Sequence, residues 1–445
     1  MTDSREGAEP PVEGDREAEH GQELLDAPRP SRFPYLVGVY LATNAIRDAA
    51  CVVDGPDCAF FKAEFIHGKH DLRSTLLDVL GNHRILVSHT TTDNIAQSRG
   101  QDVVRLIRAA DAMGGVELVL VTSLPMVTII GLQYDQLIRE LRDQLSVELA
   151  LVPGLSLQGD WLDGYAEVLV ALAERIPAPA EPPAPHRVSI IGNFMDRNEE
   201  DHVANVAELR RLVKAMGLTL DSVWLSGRPW SELQRAAHSG TLVALPLGRR
   251  AAAALAERTG AQVLEVETPF GLARTADFLR ALAGATNREE AAEQLVGAEL
   301  TAIATRLEWA VPHFFLGLRA AVSASPDVLP GLLDTLTELG VEVVETVSPA
   351  RRPAWFAPEE LPGGPVAFDI EFDRRSWHGD RAPHLVVADS RLLRDLRGRV
   401  PAVELGFPSH ADHALFERPF LGFRGHAAFV QRLISALSMF ERPGR

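Results

Sequence analysis

The chain has 445 residues, a hydrophobic fraction of 46% and a formal net charge of −17. This acidic balance disfavours nucleic acid and anionic membrane surfaces as partners, because no basic stripe is available to neutralise their phosphates. No apolar run reaches the roughly 18 residues of a membrane-spanning helix, and the N-terminus lacks a signal-peptide pattern. Since two cysteines cannot build a disulfide framework, the sequence predicts a soluble, cytoplasmic protein of two to four domains.

The first 30 residues differ in composition from the rest of the chain. They contain nine acidic and three basic residues and almost no bulky apolar side chains. Such a segment cannot bury enough apolar surface to offset the conformational entropy lost on ordering. We therefore predict a disordered acidic tail over residues 1–30, whose simplest role is to keep the protein in solution.

Residues 31–176 alternate short apolar runs with longer runs of helical periodicity, which is typical of a parallel sheet covered by helices. The predicted strands are Ile85–Val87 and residues 116–121. The predicted helices are residues 94–113, behind the possible caps Thr92 and Asp93, and residues 132–145 and 160–175. This segment is the first predicted domain.

A proline-rich stretch follows at residues 177–186. Together with Ile176 it reads IPAPAEPPAPH, with five prolines in eleven residues. Proline neither continues a helix nor enters a central strand, so the stretch is predicted to be a stiff, extended linker.

Residues 187–298 and 299–445 repeat the alternation of strand and helix and form the second and third predicted domains. In the third, Ser325-Pro326-Asp327 follows an apolar run and is predicted to begin a helix, since a cap, a proline and an acid all suit a helix N-terminus. The predicted fold class is α/β, with three domains that are each a parallel sheet flanked by helices.

Four segments with the right order and spacing carry a resemblance to a known family. They are VSIIGNF with VAELRRLVKAMGL, ALAERTGAQVLEVETPFGLARTADFLRAL, GLRAAVSASPDVLPGLLDTLTELGVEVV and VELGFPSHADHALFERPFLGFRGHAAFVQRL. Each alone is weak, because any α/β unit can offer such a strand and turn. Together they resemble the nitrogenase component 1 family from about residue 34 to the C-terminus.

The resemblance implies three Rossmann-like domains and a role as an α-type or β-type subunit. It implies a paralogous component 1-like partner, in a heterodimer or an α2β2 assembly, with an iron–sulfur cluster between the subunits. It also implies electron delivery by a separate P-loop iron–sulfur reductase. The chain itself contains no G-x-x-x-x-G-K-[ST] motif, so we expect no ATP site in it.

The cysteines limit what the resemblance implies about that cluster. Family members offer three cysteines from the first domain, but here the matching positions are near Phe33, at Cys58 and near Leu124. Cys58 is thus the one implied metal ligand, and Asp54 and Asp57 are candidates to replace a thiolate. An aspartate serves in this way in one branch of the family, the dark-operative protochlorophyllide reductases. The alternative is that Cys58 is a free thiol, as Cys51 is expected to be a packed core residue.

The large nitrogen-reducing cofactor of the family is not expected. The resemblance places its thiolate in the segment LVALPLGRR of the second domain, which contains no ligand. We therefore expect no FeMo-type cofactor and no dinitrogen reduction with it.

Histidines cluster in two loops. His67 and His70 follow Cys58, and His410, Asp412 and His413 follow the GFP turn. Loops at the carboxyl ends of strands line clefts in α/β folds, so His410, Asp412, His413 and His67 are catalytic or metal-facing candidates. Contacts that only stabilise the polar loop are the alternative for all of them.

Two functions follow from the sequence. In the first, the chain is a subunit of a nitrogenase-like two-component reductase that reduces a small molecule or a tetrapyrrole. In the second, it is a non-catalytic scaffold or cofactor-assembly subunit that has kept the fold and lost cluster ligation. The missing thiolates favour the second function, whereas Cys58 favours the first.

Overall fold

The computed structural model contains three parallel sheets flanked by helices, which confirms the predicted α/β fold. No helix of the part described is long and apolar enough to cross a membrane. The residues described are 26–78, 80–91, 99–128, 131–357, 361–396 and 398–440.

The first sheet has the strand order β2-β1-β3-β4, with every strand parallel to its neighbours. Strand β1 reads AACVVD and is buried along its whole length, because helices cover both faces. The predicted caps Thr92 and Asp93, with residues 94–98, lie outside the described residues. The elements in chain order are α1 (Tyr35–Asn44), β1 (Ala49–Asp54), α2 (Cys58–Ile66), β2 (Ile85–Val87), α3 (Arg99–Asp111), β3 (Leu118–Ser123), α4 (Pro125–Thr128), α5 (Tyr134–Arg142), β4 (Glu148–Leu151) and α6 (Trp161–Ala173).

The second sheet has the order β6-β5-β7-β8 and is also parallel. Its first strand begins at Ala184, inside the predicted linker, although the start of this strand is largely exposed. Short 3-10 helices occupy Gln234–His238 and Pro246–Gly248. The other elements are β5 (Ala184–Ile191), α7 (Glu200–Ala215), β6 (Thr219–Val223), α8 (Trp230–Leu233), β7 (Ser239–Ala244), α9 (Arg249–Thr259), β8 (Gln262–Glu265), α10 (Leu272–Thr286) and α11 (Glu289–Leu307).

The third sheet has five parallel strands in the order β11-β10-β9-β12-β13. The helix expected to begin near Ser325 begins at Leu329, because the Ser325 carbonyl first accepts the N–H groups of Val328 and Leu329 in a turn. The elements are α12 (Ala310–Phe314), β9 (Arg319–Ser323), α13 (Leu329–Glu338), β10 (Glu342–Ser348), β11 (Val366–Phe368), β12 (Leu385–Ala388), α14 (Ser390–Leu396), β13 (Ala402–Glu404) and α15 (Gly422–Ser438), with 3-10 helices at Arg374–Ser376 and Gly379–Arg381.

Helices α1 and α6 pack backbone against backbone through two glycines. A Cβ atom built on Gly38 would lie 1.6 Å from the carbonyl oxygen of Trp161, and one on Gly164 would lie 2.1 Å from that of Tyr35. No side chain fits at either position, since carbon and oxygen atoms in contact are normally separated by more than 3 Å. The crossing therefore requires glycine in both helices.

The buried His70 side chain joins loops from all three sheets. Its Nδ1 atom lies 2.8 Å from the backbone nitrogen of Ser409, which can only donate, so Nδ1 accepts. Its Nε2 atom then carries the proton and donates to the backbone oxygen of Asp196 at 3.0 Å. Burial lowers the pKa of His70, although the neighbouring Asp196 carboxylate opposes this effect. A neutral His70 thus connects the first sheet to the loops of the other two.

The segment that precedes α1 runs along the third sheet. The Ser31 N–H group donates to the carbonyl of Asp369 at 2.9 Å, and the Glu371 N–H group donates to that of Arg29, also at 2.9 Å. Of the predicted tail 1–30, residues 26–30 are therefore placed against the protein, and residues 1–25 lie outside the described part.

Replacing Gly38 by alanine tests the helix crossing. The added methyl group must separate α1 from α6, so we expect the free energy of unfolding to fall by about 3 kcal/mol or more. Gly284→Ala is the matched control, because a Cβ at this position of α10 meets no atom within 4 Å. Alanine there should stabilise the helix by about 0.5–1 kcal/mol. Urea denaturation measures the free energy of unfolding of both variants. A Gly38→Ala protein that is as stable as the Gly284→Ala protein would contradict the close packing of α1 against α6.

His70→Leu tests the junction between the sheets. It leaves the Ser409 N–H group and the Asp196 carbonyl without a partner, at a cost of about 2 kcal/mol near neutral pH. Because the pKa of His70 in the folded protein lies below the ordinary value of 6.5 for histidine, the unfolded chain takes up the proton first on acidification. The wild type thus loses the stability contributed by the hydrogen bonds of neutral His70 as the pH falls.

The stability difference between wild type and His70→Leu should therefore narrow from about pH 7.5 to about pH 5. Denaturant titrations at both pH values measure it, with His238→Leu at an exposed position as the control. A difference that widens towards acid pH would show that His70 is not held neutral.

Candidate functional site

A cavity of about 60 Å3 lies where the carboxyl ends of strands from the second and third sheets meet. Gly192 and Asn193 follow β5, Leu245 follows β7, Ser325 follows β9 and Leu405 follows β13. In open parallel sheets, ligands bind in the crevice outside the carboxyl ends of the strands. The cavity is therefore the first candidate for a functional site.

A buried carboxylate flanked by two histidines forms one wall of this cavity. Oδ1 of Asp196 lies 2.7 Å from Nε2 of His202, and Oδ2 lies 3.7 Å from Nε2 of His70. Burial alone would raise the pKa of Asp196, but the charged His202 beside it holds that pKa below its ordinary value. Burial would lower the pKa of His202, but Asp196 and Asp201 raise it. Asp196 and His202 thus form an ion pair inside the protein.

Arg197 connects this wall to the loop that follows β13. Its guanidinium group pairs with the Asp201 carboxylate and donates from Nη1 to the backbone oxygen of Asp412 at 2.8 Å. Arg432 of α15 pairs with the Asp412 carboxylate at 2.5 Å and also donates to the Glu404 carbonyl. Each arginine of the cavity wall therefore already has an acidic partner.

The loop residues His410, Asp412 and His413 face different partners. Asp412 pairs with Arg432 and also with Arg418 at 2.7 Å, whereas Nδ1 of His413 lies 2.7 Å from Oε1 of Glu199. The structure thus brings none of the three together as a joint ligand set.

The other two histidine candidates lie at the surface or in a turn. His410 is exposed, and its ring lies beside that of Phe65. His67 lies in the turn after α2, where its backbone forms an isolated β-bridge with that of Asp71. Across the described ranges, no group of three or more His, Cys, Asp or Glu side chains could hold a metal ion. A catalytic role for His67, His410, Asp412 or His413 stays a prediction.

Asp327 is a cavity residue whose role the sequence did not reveal. It precedes α13 and is 5% exposed. Burial raises the pKa of its carboxyl group to about 6, although a hydrogen bond from the Ser325 side chain opposes this effect. Its Oδ1 atom has no hydrogen-bond partner among the described residues. The Ser-Pro-Asp pattern was a local signal for a helix start, and nothing in it indicated a cavity.

The corner around Cys58 forms a second candidate site, on the first sheet. Cys58 begins α2 and is exposed. The neighbouring Asp57 side chain is 70% exposed, and its Oδ1 atom lies 2.6 Å from Nδ1 of His89. Asp54, at the end of β1, is buried and accepts hydrogen bonds from Tyr134 at 2.6 Å and Ser88 at 2.7 Å. Of the predicted ligands, Cys58 and Asp57 are thus accessible at the surface, whereas Asp54 is engaged inside the sheet.

Apolar side chains occupy the other two positions where the family resemblance places thiolates. The Phe33 ring packs against Phe407 and Trp161, with centroid distances of 5.0 and 5.8 Å. Leu124 packs against Gly55 so closely that a Cβ there would lie 2.9 Å from Leu124 Cδ1. Burial raises the pKa of the Cys51 thiol to about 12, so Cys51 is a protonated core residue. The donors of this chain alone do not fit a thiolate-held iron–sulfur cluster.

Comparisons with known proteins agree with this geometry. A family model described as nitrogenase component 1 type oxidoreductase matches residues 35–438. The nitrogenase molybdenum-iron protein beta chain of Frankia alni is 26% identical over an alignment of 283 residues, and the match covers 56% of this chain and 52% of that protein. The chain therefore spans about half the length of this curated relative.

Two solved structures share the fold. The structure titled "Nitrogenase Cp1 at pH 6.5" superposes with a TM-score of 0.76 at 15% identity and covers 92% of this chain and 93% of that chain. "Nitrogenase Cp1 at pH 5" gives a TM-score of 0.71 at 14% identity, covering 93% and 90%. At these identities the likeness concerns the fold alone. Because the family model matches most of its length, the chain belongs to the nitrogenase component 1 type oxidoreductase family.

Proposed function

We propose that the chain is the cluster-poor subunit of a nitrogenase-like two-component reductase. It would pair with a paralogous component 1-like subunit, and a P-loop iron–sulfur protein would deliver electrons to the assembly. The observation that carries the proposal is the combination of the family match over residues 35–438 with a single exposed thiol, Cys58. Most of the redox ligands would then belong to the partner subunit.

The position of Cys58 supports this assignment. Its thiol lies at the surface of the first sheet, next to the exposed carboxylate of Asp57. Among the described residues no group of three or more His, Cys, Asp or Glu side chains could hold a metal ion, so a metal centre at Cys58 would need further ligands from another subunit. Thiolates are the ligands that iron–sulfur clusters prefer. Cys58 therefore supplies at most one ligand at such a contact, with Asp57 as the second candidate donor.

The size of the cavity also favours a shared substrate site. Pockets that bind small molecules usually have about 300–1,000 Å3, which is several times the 60 Å3 of this cavity. A tetrapyrrole therefore does not fit between the second and third sheets of this chain. If the assembly reduces a tetrapyrrole, we propose that the partner subunit forms most of the pocket.

A scaffold or cofactor-assembly role is the second candidate. The packing of Phe33 and Leu124 favours it, because two of the three implied thiolate positions are filled by apolar groups. Such a subunit would keep the pairing surface, and Cys58 would be a free thiol. The two candidates differ in whether Cys58 is needed for iron.

Cys58→Ala separates the two functions. In the complex with the paralogous subunit, purified without oxygen, a cluster-ligating Cys58 predicts a loss of iron and at least about a tenfold loss of turnover with the reductase and ATP. Cys51→Ala is the matched control, since it removes the buried thiol and should leave the iron content unchanged. Metal analysis and size-exclusion chromatography measure iron and assembly on the same sample.

The outcome decides between the candidates. An assembled Cys58→Ala complex with unchanged iron and turnover would contradict the reductase role of Cys58 and support the scaffold. A wild-type complex that is colourless and free of iron would count against the two-component reductase itself.

A further inference from the structure

Most of the charged groups around the cavity have a partner. Arg197 pairs with Asp201, Arg432 pairs with Asp412 and His202 pairs with Asp196. Glu404 accepts a hydrogen bond from Ser409 and lies beside Arg432. Asp327, in contrast, has no ion-pair partner within the described ranges. The wall of the cavity therefore has one more negative charge than its own cations neutralise.

Asp327 cannot obtain this compensation from bulk water. Its side chain is buried, and its Oδ1 atom is an acceptor without a donor among the described residues. A buried carboxylate without a cation is unfavourable, and the hydrogen bond from the Ser325 side chain offsets this cost only in part, since burial still raises the pKa of Asp327. Two acidic groups, Asp196 and Glu267, disfavour its ionised form further. The surroundings of Asp327 thus favour a bound species that brings both a positive charge and a hydrogen-bond donor.

The size and lining of the cavity restrict this species. A volume of 60 Å3 is several times the roughly 10–15 Å3 that a cavity needs in order to hold one water. Leu245, Val328 and Leu405 contribute apolar surface to the lining of the cavity. The described acids and histidines do not form a group of three that could hold a metal ion. A small cation with N–H donors and at most a short apolar end fits these conditions.

We propose that the cavity binds a small cation with N–H donors, either ammonium or methylammonium, whose N–H group donates to Oδ1 of Asp327. The apolar wall around Leu245 and Leu405 accommodates the methyl group. This site is separate from the Cys58 corner, and the proposal goes beyond the proposed function and does not depend on it.

Protons compete with this cation for Asp327. Burial raises the pKa of Asp327 to about 6, and Asp196 and Glu267 act in the same direction, whereas Ser325 opposes them. The ammonium group itself remains protonated throughout this range. Binding should therefore strengthen as the pH rises from about 5 to about 7.5, because the carboxylate becomes available.

Calorimetric titration of the full chain tests the proposal. Ammonium or methylammonium chloride replaces sodium chloride at constant ionic strength and about pH 7.5. We expect saturable binding and a rise in Tm for these two cations. Potassium, which has no N–H donor, and tetramethylammonium, which has none and is larger, should give neither. A saturable response to potassium or to magnesium would overturn the assignment of the ligand class.

Two variants test the site itself. Asp327→Asn should weaken methylammonium binding about tenfold or more, because it removes the charge-assisted hydrogen bond. Asp277→Asn, at an exposed position of α10, makes the same chemical change and should have no effect. Unchanged binding to folded Asp327→Asn would overturn the proposal.

Ala324→Val provides an independent variant if Asp327→Asn does not fold. Ala324 lines the cavity and is buried, so two added methyl groups reduce its volume without changing its charge. We expect the loss of binding of methylammonium in particular. Binding that is unaffected by this variant, or that weakens in the wild type as the pH rises, would contradict a site at Asp327.

Discussion

The architecture depends on the contact between His70 and the loop at Asp196. This contact joins residues that are 126 positions apart in the chain, and the contact between His70 and Ser409 joins residues 339 apart. One neutral imidazole uses both ring nitrogens to satisfy buried backbone groups of two other sheets. The ring is fully buried, so no water can take its place as the partner of these two backbone groups.

The same contact explains why the cleft between the second and third sheets is small. Asp196 holds His202 on one side, while Arg197 reaches the carbonyl of Asp412 on the other. These charges neutralise one another inside the protein. The cleft is therefore closed by a network of ion pairs that stabilise one another.

Much of the fold was predictable from the sequence, because it depends on local patterns. Fully apolar runs such as the one in Ala49–Asp54 indicate strands covered on both faces, and the order of four motifs indicated the family. The contact between Asp196 and His70 was not predictable, since it joins residues 126 positions apart in the chain. Asp327 was predicted as part of a helix start because Ser-Pro-Asp is a local signal, yet the helix begins at Leu329 and the carboxylate lines a cavity. The ligand roles of Asp54, Asp57 and Cys58 stay predictions.

The segment before α1 has a further consequence for motion. Its backbone is hydrogen-bonded to residues 369–371, next to the third sheet, and only then does the chain enter the first. Residues 29–31, which belong to neither sheet, thus connect the third sheet to the first. A hinge motion that widened the cleft would have to break the hydrogen bonds that residues 29–31 form with Asp369 and Glu371. Large rigid-body motions of the third sheet are therefore coupled to the detachment of this segment. Transient opening of the cleft should therefore appear first as hydrogen exchange of the backbone amides in this segment, and only later in the strands beneath it.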